Sequence, residues 1–582
     1  MNQTSPQQIR TSTWQLTHTG GKMQALSIRF GEDWLQVPLQ TGDYAGASIF
    51  VNGREIPFSP SFSDQGTVYR GSDGKDLGIC FSYRVNSENQ LVLSVRIENR
   101  SSRKAEFSNI KVRLGLDTFL LKYPEYLDTF FPTLLRCEKT HLWGYFSTPS
   151  GHLLGIHTDA PVASYTLDYE KDAQGIFTAS LDLLQNGKLP DRHPRDLYFF
   201  EGNEVKEWNI FFTPIAAPFA LEALKPRLAR LSPLVLLHAD AYTVGAKETS
   251  HLTVYSASPL TDDCLQVKHP DGASSRLPLQ KVSGEEYRAV FEQEQPGVYT
   301  LTAENRAGYR AEMCLSVRRP WSWYLEKAAQ AAVAAPQKAT SHAESWYGFY
   351  SAYLARKYFP DRARDSAIDR KMAEVYPLMY ESVTGEPLEQ KDRIQNHSSM
   401  LGVCVDIYES TGSREALHKA EDFADLVLSF QKADGGVYKG ETDYTSVIYP
   451  IKSVMELMEV EKELSASGDL SPEEAAYFAS RYGLHLDAVG RAMKHLAVLD
   501  GNFSTEGATT SCYEDGANSC SATQMSQFAL LWPAGSPERA YFTKAARLTL
   551  DRHSSHEQAL IPVSLIAGGT LRYCEAQYDV EM

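Results

Sequence analysis

The sequence predicts a multidomain chain that is β first and α last. Over residues 1–318, apolar and polar side chains alternate at period 2 in short runs broken by Gly, Asn and Asp turn clusters. At Arg318-Arg-Pro-Trp-Ser-Trp323 the period changes to about 3.6 and stays there. Three polar stretches then interrupt the helical pattern where hairpins join or begin: Arg393–Ser399, Gln431–Lys452 and Ser511–Cys520. Loops held by rigid helices are where binding and catalytic groups are placed. These three are expected to line one pocket.

Residues 1–225 carry strand-like runs at Trp34–Pro38, Ala47–Val51, Gln90–Ile97, Ile110–Leu114 and Trp208–Phe212. Val51-Asn-Gly53 and Gly71-Ser-Asp-Gly74 supply turns between strands. So long a β pattern exceeds one seven-stranded sandwich, so a double-layered β-supersandwich is expected. Leu189-Pro-Asp-Arg-His-Pro194 is a proline-constrained loop, read either as ordinary surface or as a projection to a neighbouring domain. Residues 226–318 carry further runs at Leu234–His238, Ser250–Tyr255, Tyr287–Phe291 and Gly297–Ala303. Their spacing suits an immunoglobulin-like β-sandwich, read as a spacer.

Residues 319–582 predict helices over 323–335, 342–358, 364–381, 397–411, 414–431, 445–465, 472–498, 518–532 and 536–553. Tyr358-Phe-Pro, Ser410-Thr-Gly and Ser465-Ala-Ser-Gly are stop signals, and Ser471-Pro-Glu-Glu is a start, with proline at the first helical position and acids in the first turn. Alternating short and long connections suit antiparallel hairpins in a ring or array, and no self-similarity of a helical solenoid is present.

Composition narrows the function. The net charge of −16 and the lack of a basic stripe exclude a typical nucleic-acid binder and a polybasic membrane attachment. No run approaches the ~18–20 apolar residues of a membrane span. Met-Asn-Gln-Thr-Ser-Pro-Gln-Gln lacks the charged start and apolar run of a signal peptide, and since the numbering can begin after a removed signal, both cytoplasm and periplasm stay open. The eight cysteines (Cys80, Cys137, Cys264, Cys314, Cys404, Cys512, Cys520 and Cys574) form no CxxC pair, which fits small buried side chains better than zinc ligands or a disulfide scaffold. HExxH-type spacing is absent, so neither a metal nor another cofactor is expected.

The polar stretches offer two chemistries. Glycosidic hydrolysis needs two carboxyl groups across the scissile bond, one protonated and one ionised. Glu514-Asp515, between Tyr513 and Gly516, is the best acidic pair; one member is expected to face the pocket and the other to cap the following helix. Asp443 and Glu441 are the complementary carboxylates, with Asp434 behind them, and Glu344 lies beside Trp346 and Tyr347. Trp346, Tyr347 and Tyr350 are either a sugar platform or core. The second chemistry, β-elimination from a uronic acid, needs a carboxylate clamp, a base for the C5 proton and an acid for the leaving oxygen. Arg393 has the planar fork for the clamp, with Asn396 beside it. His397, four residues on, is the candidate base, and Tyr444 and Tyr449 lie in the central stretch. Arg572, Glu575 and Asp579 join the pocket or form a terminal ionic network.

The order of supersandwich, spacer and helical domain resembles (α/α)-toroid glycoside hydrolases and polysaccharide lyases of glycan-degrading bacteria. Tyr513-Glu-Asp-Gly516, Asn396-His397 and Gly568-Gly-Thr-Leu-Arg-Tyr-Cys-Glu-Ala-Gln-Tyr-Asp579 are most similar to the exo-β-glucuronidases of glycoside hydrolase family 154. The resemblance implies an enzyme acting at a chain end of a uronate-containing oligosaccharide or polysaccharide. Hydrolysis would fall to Glu514, Asp515 and Asp443. A lyase, the second reading, would use His397 and Tyr449, and a non-catalytic glycan-binding protein is the third. A full toroid has about twelve helices and the pattern supplies about nine, so the expectation is either an incomplete ring or a sequence that is a fragment of a longer chain. Large β modules often carry dimer contacts, which leaves a homo-oligomer open.

Overall fold

In the computed structural model, residues 6–42, 45–63, 66–118, 128–148, 150–170, 176–186, 197–218, 220–261, 264–334, 344–381, 388, 394–437, 444–496 and 524–553 are described. The chain divides at Val317/Arg318 into two compact units.

The first unit is β. Its eight-stranded sheet is centred on the antiparallel strands Val205–Ile215, Leu91–Asn99 and Leu77–Val85, with Val95 opposite both Trp208 and Phe81. Leu91–Asn99 shows why these residues form a strand: Leu93, Val95 and Ile97 are buried, while Ser94, Arg96 and Glu98 alternate outward. A five-stranded sheet holds Asn109–Arg113 between Ser48–Val51 and Ile176–Gln185. Gln7–Arg10, Trp14–Thr19, Lys22–Phe30 and Asp33–Gln36 make a four-stranded meander. All three sheets contribute to one core, from Trp14 and Ile28 through Ile49 and Val95 to Leu181 and Phe212. At the Val51-Asn-Gly53 turn, Asn52 (φ 53°) and Gly53 (φ 74°) are both left-handed, the geometry a two-residue hairpin requires. The 189–194 loop lies outside the described residues.

Residues 235–318 form a further sandwich of a four-stranded and a five-stranded sheet. Between it and the larger β module lies helix α1 (Leu224–Leu231), which the period-2 pattern does not predict. Leu224, Leu228 and Ala229 of α1 join Trp143, Tyr145 and Leu153 of the eight-stranded sheet to Leu234 and Leu236 of the sandwich. Lys225 is buried in this seam, donating to Leu237 O at 2.7 Å with its ammonium 5.4 Å above the Trp143 ring. Glu312 N donates to the buried Glu138 carboxylate (3.1 Å), Arg310 N to Thr140 Oγ1 (3.0 Å) and Tyr309 OH to Asp159 O (3.1 Å). Two histidines sit beside these bonds. His141 is edge-on to Tyr309, and His157 stacks on Phe211 at 4.5 Å. Burial drives both imidazoles down to about 3.

The second unit is helical: α2 (Trp321–Ala334), α3 (Glu344–Tyr358), α4 (Arg362–Met379), α5 (Ile394–Thr411), α6 (Arg414–Leu428), α7 (Tyr444–Ser465), α8 (Pro472–Leu496), α9 (524–530) and α10 (Pro537–His553). Each expected helix is present, most with ends within three residues of expectation; 518–532 narrows to 524–530 because 518–523 lie outside the described residues. Caps explain the sharp starts. Asp361 accepts from Arg364 N (2.8 Å) ahead of α4, and Ser413 from Ala416 N (3.3 Å) ahead of α6. At α8, Ser471 Oγ accepts from Glu474 N (3.2 Å) and Ser471 N donates back to the Glu474 carboxylate (3.1 Å), a reciprocal capping box. Helices α3, α5 and α7 are neighbours in one layer, with α6 packed on α5 and α8 on α7. Phe349, Tyr353, Leu401, Val405, Val454 and Leu457 belong to their shared core. A buried polar link ties α7 to α8: His485 Nδ1 lies 2.7 Å from Glu461 Oε2, both fully enclosed. Among the described residues, no helix is long and apolar enough to cross a membrane.

Candidate functional site

The described contacts bring the starts of α3, α5 and α7 to one end of the second unit. Helices α5 and α6 are joined only by Gly412 and Ser413 and therefore run antiparallel, so the end of α6 returns to the start of α5. The segment that follows α6, Gln431–Val437, docks on the last turns of α8. Its Gln431 amide donates to Ala488 O at 2.8 Å. Because α7 and α8 form a packed hairpin, the last turns of α8 also mark the start of α7. Tyr380, just past α4, has its ring 6.5 Å from that of His397 in the first turn of α5. The short link between α3 and α4 then places the start of α3 at the same end.

Several sequence candidates share this end. Trp346 lies in the first turn of α3, Asn396 and His397 in the first turn of α5, and Tyr444 and Tyr449 in the first two turns of α7. Arg393, Asp443, Tyr513, Glu514, Asp515 and Arg572 lie outside the described residues, as do Glu441, Glu575 and Asp579. Asp434 apart, His397 is the candidate among these with a described side chain. It is fully enclosed, its ring near-parallel to Phe423 at 6.3 Å with Tyr380 on another side.

The Gln431–Val437 segment is a built loop. Gln431 and Val437 pair as an isolated antiparallel bridge, Lys432 N donates to Gly436 O (2.8 Å), and Gly435 N donates to Lys432 O (3.0 Å). Gly435 has φ 92°, and a Cβ there would stand 2.2 Å from Arg491 O, so only glycine lets the loop seat on α8. Asp434 Oδ1 accepts from Gly436 N at 3.0 Å, which fixes the carboxylate. Its other oxygen, Oδ2, faces His495 Nδ1 at 3.9 Å. His495, in the last turn of α8, is absent from the sequence candidates. No local motif marks it, and its link to Asp434 depends on the docking of the loop.

Two other features lie elsewhere. Asp406 is 4% exposed, and burial, followed by the nearby Glu456 carboxylate, drives it up to about 8. It lies about 18 Å along α5 from the helix start, at a rise of about 1.5 Å per residue, too far to act with the site end. A cavity of about 660 Å³ opens between α2 and α4, where Glu326, Gln330, Phe359, Asp361 and Arg364 line it; none is a sequence candidate. Among the described residues, no group of three or more His, Cys, Asp or Glu side chains is arranged to hold a metal ion.

No family model and no curated protein matches this chain. Among solved structures it is similar to a polysaccharide lyase, with a TM-score of 0.63 and 12% identity over 94% of this chain and 82% of that one. That likeness shows the fold. A family 76 glycoside hydrolase from a bovine Bacteroides thetaiotaomicron strain matches at a TM-score of 0.23 and 8% identity, over 58% of this chain and 98% of that one. The unsaturated glucuronyl hydrolase of Bacillus sp. GL1 matches at 0.22 and 13%, over 45% and 97%. At those scores neither likeness bears on function.

Proposed function

We propose that this chain is a carbohydrate-active enzyme that cleaves glycosidic bonds of uronate-bearing oligosaccharides or polysaccharides by β-elimination, with the second unit an (α/α) toroid. The observation that carries this reading is the likeness to a polysaccharide lyase along nearly the whole chain, β and α units together. The clustering of helix starts supports it, because it gathers Asn396, His397, Tyr444 and Tyr449 at one end. In the proposed reaction Arg393 and Asn396 neutralise the uronate carboxylate, which acidifies the C5 proton. A base removes that proton, the C–H pair becomes the C4–C5 double bond, the C4–O bond breaks, and the leaving oxygen takes a proton from a hydroxyl acid such as Tyr449.

Exo-acting hydrolysis, β-glucuronidase-like, is the second reading, favoured by the Tyr513-Glu-Asp-Gly516 motif with Asp443 as the opposing carboxylate. One experiment separates them. The chain is incubated with uronate oligosaccharides while new reducing ends and the ultraviolet absorbance of a C4–C5 double bond are both followed. A rise in both supports elimination. Reducing ends without the absorbance support hydrolysis. Neither signal across the panel, with glycan binding intact, would leave a binding protein and refute both.

A further inference from the structure

We propose that His495, on the last turn of α8, is the proton-transferring histidine of this site and that Asp434 is its positioning residue. The inference rests on the uronate-elimination reading and names the base that reading requires.

Position is the first ground. His495 belongs to the end where α3, α5 and α7 begin, because Gln431 and Gly435 seat their loop against Ala488 and Arg491, about one to two turns before His495 on α8. Access is the second. His397, the histidine the sequence points to, is 0% exposed and flanked by the Tyr380 and Phe423 rings, whereas the His495 side chain keeps 9% of its surface open. A base must come within hydrogen-bond reach of the proton it takes, so a wholly enclosed ring is the poorer candidate. Orientation is the third. Asp434 Oδ1 is held by Gly436 N at 3.0 Å, and this turns Oδ2 toward His495 Nδ1 at 3.9 Å. A carboxylate on Nδ1 orients an imidazole so that Nε2 does the chemistry, and the pair needs to close by less than 1 Å to form that bond. In the step, His495 Nε2 takes the C5 proton, the freed pair forms the C4–C5 double bond, and the C4–O bond breaks with protonation of the leaving oxygen by the hydroxyl acid.

The test uses the full chain as His495→Gln, Asp434→Asn and Asp434→Glu. On a glucuronate-containing oligosaccharide, H495Q should lower kcat about 10²–10⁴-fold with KM within about threefold, the range for losing a general base. D434N should lower kcat about tenfold, with D434E restoring part of it, a rescue that a purely structural aspartate would not show. In parallel, the ¹⁵N-histidine ring signals that vanish in H495Q are followed as D-glucuronic acid is added to wild type. Shifted signals together with the kcat loss support the proposal. An H495Q enzyme that keeps its kcat within about threefold overturns it. If no uronate substrate is turned over, the elimination reading fails by itself. The titration then still decides: unmoved His495 signals overturn its placement in a ligand site, and moved signals without turnover overturn its catalytic role.

Discussion

Replacing Asp406 by Asn should stabilise the helical unit, and the gain should grow steeply with pH. Asp406 is 4% exposed on α5, and its Oδ2 has no hydrogen-bond partner among the described residues. Burial is the main cause of its raised pKa, Glu456 and Glu409 add to it, and Lys357 and Lys452 pull it back. The folded group therefore titrates at about 8, against 3.8 for the ordinary carboxyl. Because the folded value is the higher one, the folded state holds the proton more tightly. Stability is complete below the unfolded value and is lost as pH rises through the folded one. A shift of about four units at about 1.4 kcal/mol each is a loss of about 6 kcal/mol between pH 4 and pH 9, of which about 4 kcal/mol is already lost at pH 7.

Asn keeps the shape of Asp and does not titrate, so wild type minus D406N isolates this one group. The assay is calorimetric or hydrogen-exchange-monitored unfolding of both proteins at pH 4.5, 7 and 9. About 5 kcal/mol of that loss falls between pH 4.5 and pH 9, so at about 2–4 °C per kcal/mol for a unit of this size the Tm gap should open by about 10–20 °C. Parallel curves across that range would refute the reasoning. They would mean that Asp406 reaches water or a partner in its ionised form.

The β unit should respond in the opposite direction. His141 and His157 are held neutral down to about 3, so their contribution is present above the unfolded value of 6.5 and lost as pH falls toward 3, about 3 kcal/mol for one such group at pH 4.5. His157→Phe keeps a flat ring on Phe211 and removes the titration. It should flatten the acid limb of the β-unit melting curve, and an unchanged limb would refute the assignment. Gly435→Ala should cost at least about 2 kcal/mol in urea unfolding and lower turnover, because the left-handed backbone is strained and Arg491 O cannot give way. Gly412→Ala is the control: it is also left-handed (φ 72°) but opens onto space, and should cost about 1 kcal/mol. Equal losses in the two would mean that the Gly435 loop does not need its seat on α8.

Most of the fold was legible because its signals are local. Leu93, Val95 and Ile97 alternate within one strand, and Ser471-Pro-Glu-Glu carries its whole capping box in four residues. The change of period at Arg318 coincides with the division between the two units. Helix α1 was not legible for the same reason. Its eight residues, Leu-Lys-Pro-Arg-Leu-Ala-Arg-Leu, are short enough to be lost between strands, and proline in third place weakens the helical signal. Long-range packing of Leu224 and Leu228 between two β modules forms it, and that packing has no trace in the segment itself.

Of the candidate site, the sequence offered a place, and its carboxylates Asp443, Glu514 and Asp515 lie outside the described residues. Polar, glycine-rich stretches at helix starts were enough to gather Trp346, Asn396, His397, Tyr444 and Tyr449 on three helices, because hairpin connections fix which ends meet. Which side chain faces outward is a different question. A first-turn residue points either into the core or off the helix end according to the rotation of its helix, and that rotation is set by neighbours such as Phe423 and Tyr380, far from the His397 motif in sequence. The His495 partner of Asp434 was hidden more deeply. It depends on Gly435 passing under Arg491 O, a contact between two segments whose local sequences each read as ordinary, a loop glycine and a helix end. The polar stretches therefore point to one end of the helical unit, and the packing of distant helices sets which histidine there, His397 or His495, keeps part of its surface open.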